Sequence, residues 1–301
     1  MNVIGIDIGG TGIKGMVISN DRTVLDMVEV ETAIHKGRDG ITASLMSVIE
    51  RLLKKPNIDY IGVGTAGRVN AISGEVVYAT DNLPDWQGTN IKEVIESKYR
   101  LPCVVENDAN VALVGELWVG ESYQNAVMLT LGTGVGGANV MNGSLASGAH
   151  HQGGEWGHVI LVPFGRPCNC GQLGCIEQYL SGSALLKEVN SVVKTPFQHG
   201  REIFEKCSNQ KEEAINLVVN QYLDYLALAC YNLSVSIDPE VVIIGGGVID
   251  SKIYWWDLFL EKLAKYQSPI NVVPAVLGNK AGMYGAAKLA MDAAKKRGIL
   301  L

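Results

Sequence analysis

Val3-Ile-Gly-Ile-Asp7-Ile-Gly9-Gly10-Thr11-Gly12-Ile-Lys14-Gly-Met-Val-Ile18 decides how this chain is read. Two apolar runs rich in β-branched residues flank a tip of glycine and threonine, which is the grammar of a β-hairpin. The same grammar returns at Ala126-Val-Met-Leu-Thr-Leu131-Gly132-Thr133-Gly134-Val-Gly136-Gly137-Ala-Asn-Val140. A glycine-tipped hairpin opening each half suggests two related lobes facing a cleft. The alternative is that glycine-rich hairpins resemble one another by chance.

Outward from these hairpins the chain alternates strand and helix patterns, the pattern of an α/β protein. Strands are expected at 3–8, 13–19, 24–31, 60–65, 103–105, 126–132, 136–141 and 241–245. Helices are expected at about 39–54, 90–99, 109–118, 182–194, 211–236, 254–266 and 283–296. Residues 217–235 are apolar nearly all round, which predicts a central buried helix.

Gly132-x-Gly134-x-x-Gly137 and Gly62-x-Gly64-x-x-Gly67 both match a dinucleotide fingerprint, but that motif has meaning only where the glycine turn opens a helix. After Gly137 the chain continues as strand into an Asn142-Gly143 hairpin turn, and after Gly67 it is again strand-like, so both matches fail. What remains is phosphate binding by hairpin tips, where glycine exposes backbone N–H groups to an anion. That assigns Gly9, Gly10, Thr11 and Gly12 to one phosphate loop and Gly132, Thr133, Gly134 and Gly137 to a second. Lys14 adds either phosphate-binding charge or a plain surface cation. Gly245-Gly246-Gly247, after the apolar strand Val241–Ile244, lets a planar ligand approach the backbone.

With 301 residues the chain has room for one large domain or two ordinary ones, and its 47% hydrophobic and 19% charged residues are ordinary globular composition. A net charge of −6 with no basic stripe argues against a nucleic-acid partner. No apolar run reaches the roughly 18 residues of a membrane span. Only Met1-Asn2 precede the first strand, so no signal peptide is expected, and a cytoplasmic protein is.

His158, Cys168, Cys170 and Cys175 are spaced H-x9-C-x-C-x4-C. Three soft thiolates and an imidazole are a closed tetrahedral zinc set, which predicts a structural Zn2+. Buried free thiols or a disulfide are the alternative. Cys103, Cys207 and Cys230 are scattered and fit a reducing compartment. Glu155 and Glu177 flank the cluster, so the metal would fix two carboxylates suited to gripping sugar hydroxyls, and the second ring nitrogen of His158 could donate to another.

Glu106-Asn107-Asp108-Ala109-Asn110 closes a short strand and opens a helix. Asp108 there is either a general base for a hydroxyl proton or simply the helix N-cap. Asn107 offers both donor and acceptor to a sugar hydroxyl. Asp7, a carboxylate ending a buried strand beside a phosphate turn, is costly unless paired or metal-bound, and is expected to partner Mg2+.

These elements together resemble the ROK family (repressor, open reading frame, kinase) within the actin–Hsp70–hexokinase superfamily. The matches, in family order, are Asp7-Ile-Gly-Gly-Thr11, Gly62…Gly67 with Asn82-Leu-Pro-Asp-Trp86, Glu106-Asn-Asp108-Ala-Asn110, and Leu131-Gly-Thr-Gly-Val-Gly-Gly137. Gly154-Glu-Trp-Gly-His158, Cys168-x-Cys170-x4-Cys175-Ile-Glu177, Ile244-Gly-Gly-Gly247 and Ala281-Gly-Met-Tyr-Gly-Ala286 complete them. The resemblance implies an α/β fold of two ribonuclease-H-like lobes, 1–118 with the returning segment 283–301, and 119–282, with ATP in the cleft. It implies Asp108 as catalytic base and Gly67, Asn82, Asn107, Asp108, Glu155, His158 and Glu177 around the sugar. It also implies a hexose and ATP as ligands, ATP-dependent phosphorylation of the hexose, and a homodimer. Glucose is the first expectation, then N-acetylmannosamine or N-acetylglucosamine, then fructose, allose or β-glucosides. A sugar-responsive repressor of the same family would need a helix-turn-helix before the first loop, for which the chain has no residues. Departures from the family's pattern are Gly12-Ile13-Lys14, Thr65-Ala66-Gly67, Trp156 and His150-His151-Gln152, most of them on the sugar side.

Overall fold

The computed structural model describes residues 1–208, 212–267 and 269–298. They form two compact units: Met1–Ser122 with Gly148–Gln152 and Asn279–Leu301, and Tyr123–Ser147 with Gly153–Gly278. The first unit runs β1 (Asn2–Ile8), β2 (Gly12–Ser19), β3 (Val24–Glu31), α1 (Gly37–Leu52), β4 (Ile58–Thr65), β5 (Arg68–Asn70) and β6 (Glu75–Tyr78). It continues through α2 (Ile91–Tyr99), β7 (Cys103–Asn107) and α3 (Asp108–Val119). The second holds β8 (Ala126–Leu131), β9 (Val135–Met141), β10 (Ser144–Leu145), α4 (Glu177–Leu180), α5 (Gly182–Val192) and α6 (Gly200–Ser208). Then come α7 (Glu213–Ile237), β11 (Val241–Gly245), α8 (Trp256–Ala264) and β12 (Val272–Pro274), before α9 (Ala281–Lys296) returns the chain to the first unit.

The two sheets repeat one plan, in the orders β3-β2-β1-β4-β7 and β10-β9-β8-β11-β12. β1 pairs antiparallel with β2 and parallel with β4, as β8 does with β9 and β11. The duplication expected from the two hairpins is therefore present in the topology. Each tip is closed by one backbone bond, Gly9 N–H to Gly12 O and Gly132 N–H to Gly134 O, both 3.0 Å.

β1 alternates its contacts as a central strand must. Ile4, Ile6 and Ile8 pack with Ile41, Leu45 and Ile49 of α1, while Val3 turns to Met283 and Ala287 of α9. Gly5 and Gly62 make that second face flat. A Cβ at either would lie 2.2 Å from Met283 O or 1.9 Å from Ala286 O, so glycine is what lets α9 rest directly on the sheet. α2 starts at an Asn90 cap whose side chain accepts from Glu93 N–H.

The helix expected over 254–266 is present as α8, with an unforeseen 3-10 segment, Gly247–Tyr254, ahead of it. Two differences remain. α6 was not expected at all. α7 is buried along one face only, since Leu217 and Val235 on it are 67% and 63% exposed. Residue 211 of the expected helix and residues 299–301 of the C-terminal segment lie outside the described residues. Among the described residues no helix is long and apolar enough to cross a membrane.

Candidate active site and metal centre

In the first unit, Asn107 caps α3: its Oδ1 accepts from Ala109 N–H at 2.9 Å and Asn110 N–H at 3.1 Å. The capping role considered for Asp108 thus falls to Asn107. The Asn107 amide nitrogen donates to Gly67 O and to Asp108 Oδ1, both at 2.9 Å. All four of its side-chain hydrogen-bonding positions are filled within the protein. Gly67, Asn107 and Asp108 are brought together by this one side chain. Gly67 has φ +101°, and a Cβ there would strike Tyr78 O at 2.4 Å, so only glycine serves.

Glu106, overlooked in the sequence, lies beneath this group. It is 6% exposed, and its Oε1 accepts from Asn107 N–H and Asn110 Nδ2, both at 2.9 Å. Burial pushes its carboxyl up, opposed by the Asn110 and Asn107 hydrogen bonds and then by the His151 imidazole, in the turn Gly148–Gln152 of the same unit. Another missed residue, Thr65, accepts from the buried Trp86 indole N–H at 3.0 Å. That bond and the buried Leu83 anchor the loop bearing the exposed Asn82, whose carbonyl lies 3.2 Å from where a Gly10 Cβ would be.

Asp7 sits at the end of β1, tightly packed with a solvent-facing edge. Burial pushes its carboxyl up to about 6, with Lys14 pulling the other way. Lys14 itself reaches Glu29, 3.9 Å away. The first turn of α9 closes on Asp7 because residue 282 is glycine; a Cβ there would stand 2.5 Å from Asp7 Oδ2. A carboxylate held beside a solvent edge, with no protein cation at contact distance among the described residues, is suited to a hard divalent cation such as Mg2+. Thr11 is exposed at the hairpin tip with Gly9, Gly10 and Gly12 beside it.

In the second unit, His158, Cys168, Cys170 and Cys175 converge, their ligand atoms all within 4.8 Å of one another. Cys170 and Cys175 sulfurs are 3.6 Å apart, and Cys168 Sγ is 3.7 Å from His158 Nδ1. A disulfide needs about 2.05 Å. The edge of a tetrahedron around zinc, with Zn–S of about 2.3 Å, is about 3.7 Å. The geometry fits zinc. Burial, then hydrogen bonding to Cys170 and Cys168, pushes the Cys175 thiol up to about 12, so a bound cation is what would hold it as thiolate. With Nδ1 on the sulfur side, His158 Nε2 faces Glu155 Oε2 at 4.0 Å.

Glu177, opening α4 just after Cys175, accepts from Val135 N–H at 2.9 Å and so braces the Gly132–Gly137 turn. A Cβ on Gly134 would lie 2.4 Å from that carboxylate. Gly137 and Gly245 are explained by packing: a Cβ would meet Gly154 O and Trp156 at 2.5 Å, or Met128 at 2.7 Å. Gly246 adopts φ +83° against Leu131 O. Trp156, over Gly137, donates its indole N–H to the buried Asn139 at 2.7 Å. Gly132, Thr133 and Gly247 share a cavity of about 480 Å³ with residues at the head of α6 that the sequence had not nominated.

A family model described as ROK family matches residues 3–293. The chain belongs to the ROK family. It is 30% identical to a glucokinase of Halalkalibacterium halodurans, over 94% of this chain and 92% of that one. It is 32% identical to an N-acetyl-D-glucosamine kinase of Citrobacter koseri, over 95% and 98%. A solved ROK family glucokinase from Streptomyces griseus, in complex with glucose and AMPPNP, superimposes with a TM-score of 0.80 at 29% identity, covering 97% of this chain and all of that one. This ROK protein is an ATP-dependent sugar kinase with the two-lobed fold of the actin–hexokinase superfamily.

Proposed function

We propose that this ROK kinase transfers the terminal phosphoryl group of ATP to a hexose hydroxyl, with glucose the preferred acceptor and glucose 6-phosphate the product. One observation carries the reading of the chemistry: the Asp108 carboxylate is held by Asn107, which also grips the Gly67 carbonyl and the first turn of α3. A base fixed on rigid backbone needs no reorganisation when the sugar hydroxyl becomes acidic in the transition state. Asp108 would take that proton as the oxygen attacks phosphorus. Asn107 would act as the group that positions it, with Gly67 and Asn82 beside the sugar. His158 Nε2 and Glu155, 4.0 Å apart, would share a hydroxyl, donor on one side and acceptor on the other. Glu177 would complete the sugar contacts from its place on the second phosphate turn.

Asp7 would hold Mg2+, which offsets phosphate charge when bound. The backbone of Gly9, Gly10, Thr11 and Gly12, with Lys14, and that of Gly132, Thr133 and Gly134 would hold the phosphates; of Gly245, Gly246 and Gly247, the exposed last two would give the nucleotide a side-chain-free approach. Zinc at His158, Cys168, Cys170 and Cys175 would be structural, fixing Glu155 and Glu177. A homodimer, as the family resemblance implies, is checked by sedimentation.

Glucose is favoured because glucokinases are prominent among the relatives at about this identity. N-acetylglucosamine is the second reading, supported by the 32% identical kinase of that name. A coupled assay measuring kcat/KM across hexoses and N-acetylhexosamines tests both. Glucose should lead; an acetamido sugar leading instead would replace the acceptor and leave the role of Asp108 standing.

A further inference from the structure

We propose that the turn His199-Gly200-Arg201, at the head of α6, is the donor-selecting wall of this kinase, closing the second unit's cavity around the nucleoside of the phosphate donor. The inference rests on the nucleotide-donor reading given above. The cavity, about 480 Å³, falls in the size range of small-molecule sites, far more room than a terminal phosphate needs. Leu185, Leu186, Phe204 and Val248 give it an apolar lining that suits an aromatic base and would only penalise a bare polyanion.

Three of its lining residues are glycines that the protein itself does not explain. A Cβ on Gly132, Gly200 or Gly247 would meet no described atom within 4 Å, and none of the three has a positive φ. Neither backbone conformation nor protein packing asks for glycine at these positions; each leaves open the space it lines. Gly200 opens α6, and a side chain there would project into space that no described atom fills.

Arg201 follows it. Its Nε donates to Glu205 Oε1 at 3.0 Å, and the Tyr254 hydroxyl donates to the same oxygen at 3.2 Å. Tyr254 ends the 3-10 segment that Gly247 begins, so Glu205 ties the Gly200 wall to the Gly247 wall. The guanidinium is thereby held as a planar cation at the rim, the arrangement that stacks on a purine face.

The test uses the full-length protein with Gly200→Ala, Gly200→Leu and Arg201→Ala. KM is measured for ATP and for the preferred hexose, together with AMPPNP affinity by calorimetry in Mg2+ and Tm. Leucine in the cavity should raise the AMPPNP Kd and the ATP KM by about tenfold or more, with alanine in the same direction but smaller. The hexose KM at saturating ATP should hold, and the alanine variant should melt no lower than wild type. Arg201→Ala should raise the ATP KM about fivefold. If the leucine variant melts early, the alanine variant decides, since its one added methyl meets no described atom within 4 Å. Unchanged AMPPNP affinity in the folded Gly200 variants overturns the wall alone. A wild-type protein that binds no AMPPNP overturns the donor reading and the wall with it.

Discussion

Asp108 owes its position to its neighbour. Both Asn and Asp are good caps; the hydrogen bonds give the cap to Asn107, while the Asp108 carboxylate accepts from the Asn107 amide and from Ala109 N–H, both at 2.9 Å. Asp108→Asn should therefore keep its Tm within a degree or two while turnover falls by about 10²–10⁴-fold. Near-wild-type turnover in that variant would remove the base assignment. Asp7 yields a pH prediction. Its carboxyl in the folded protein sits at about 6, above the ordinary 3.8, so the native state holds the proton more tightly than the unfolded chain. Its contribution to stability is full below about pH 4 and is lost as pH rises through about 6. Asp7→Asn escapes that loss and should be more stable than wild type at pH 8 in EDTA, by at most about 3 kcal/mol given the solvent-facing edge of Asp7. The gain should vanish at pH 4. Denaturant titrations at the two pH values measure it, and equal stability at pH 8 would mean the carboxylate is not strained by burial.

At the scale of elements, the metal cluster and the second phosphate turn are one mechanical piece. Cys175 is two residues from Glu177, and Glu177 holds Val135 N–H. Glu177→Gln keeps a carbonyl acceptor and should preserve Tm, whereas Glu177→Ala releases the turn and should raise the ATP KM several-fold, by about 1 kcal/mol of lost hydrogen bonding. Equal ATP KM in both variants would show that the brace is not used. Which elements could be foreseen follows from how they are written in the chain. The glycine-tipped hairpins stand out because a tip between β-branched runs has few other readings. α6 did not, because Pro196 and Gly200 punctuate a short, polar stretch that reads as loop until Ile203 and Phe204 are seen to be buried. The 3-10 segment after Gly247 was likewise not foreseen; it packs against β8 and α6, contacts that periodicity does not encode. Glu106 was hidden for a related reason: a glutamate at a strand end reads as solvent-facing, and only the Asn110 and Asn107 contacts show it buried as a support.

For the whole molecule, repetition of one sheet plan gives each unit its own core. Ile4, Ile6, Ile41 and Ile61 gather in the first, and Val127, Leu129, Leu226 and Ile244 in the second. The zinc ligands all belong to the second unit. Metal-binding free energy is folding free energy only for the structure that the metal closes, so its removal should act locally. On chelation, or in Cys170→Ser, amide exchange should accelerate across 155–180 and in the 132–137 turn that Glu177 braces. β1, β4 and α9 should keep their protection, because their main contacts are with β2, β7, α1, α3 and one another, all in the first unit. Elemental analysis of protein purified without added metal should give about one zinc per chain, the occupancy of a single closed site. Exchange that rises equally in β1 and in 155–180 would mean the metal stabilises the chain as one cooperative body. Exchange unchanged everywhere, with full activity in a zinc-free protein, would return the cluster to a set of buried thiols.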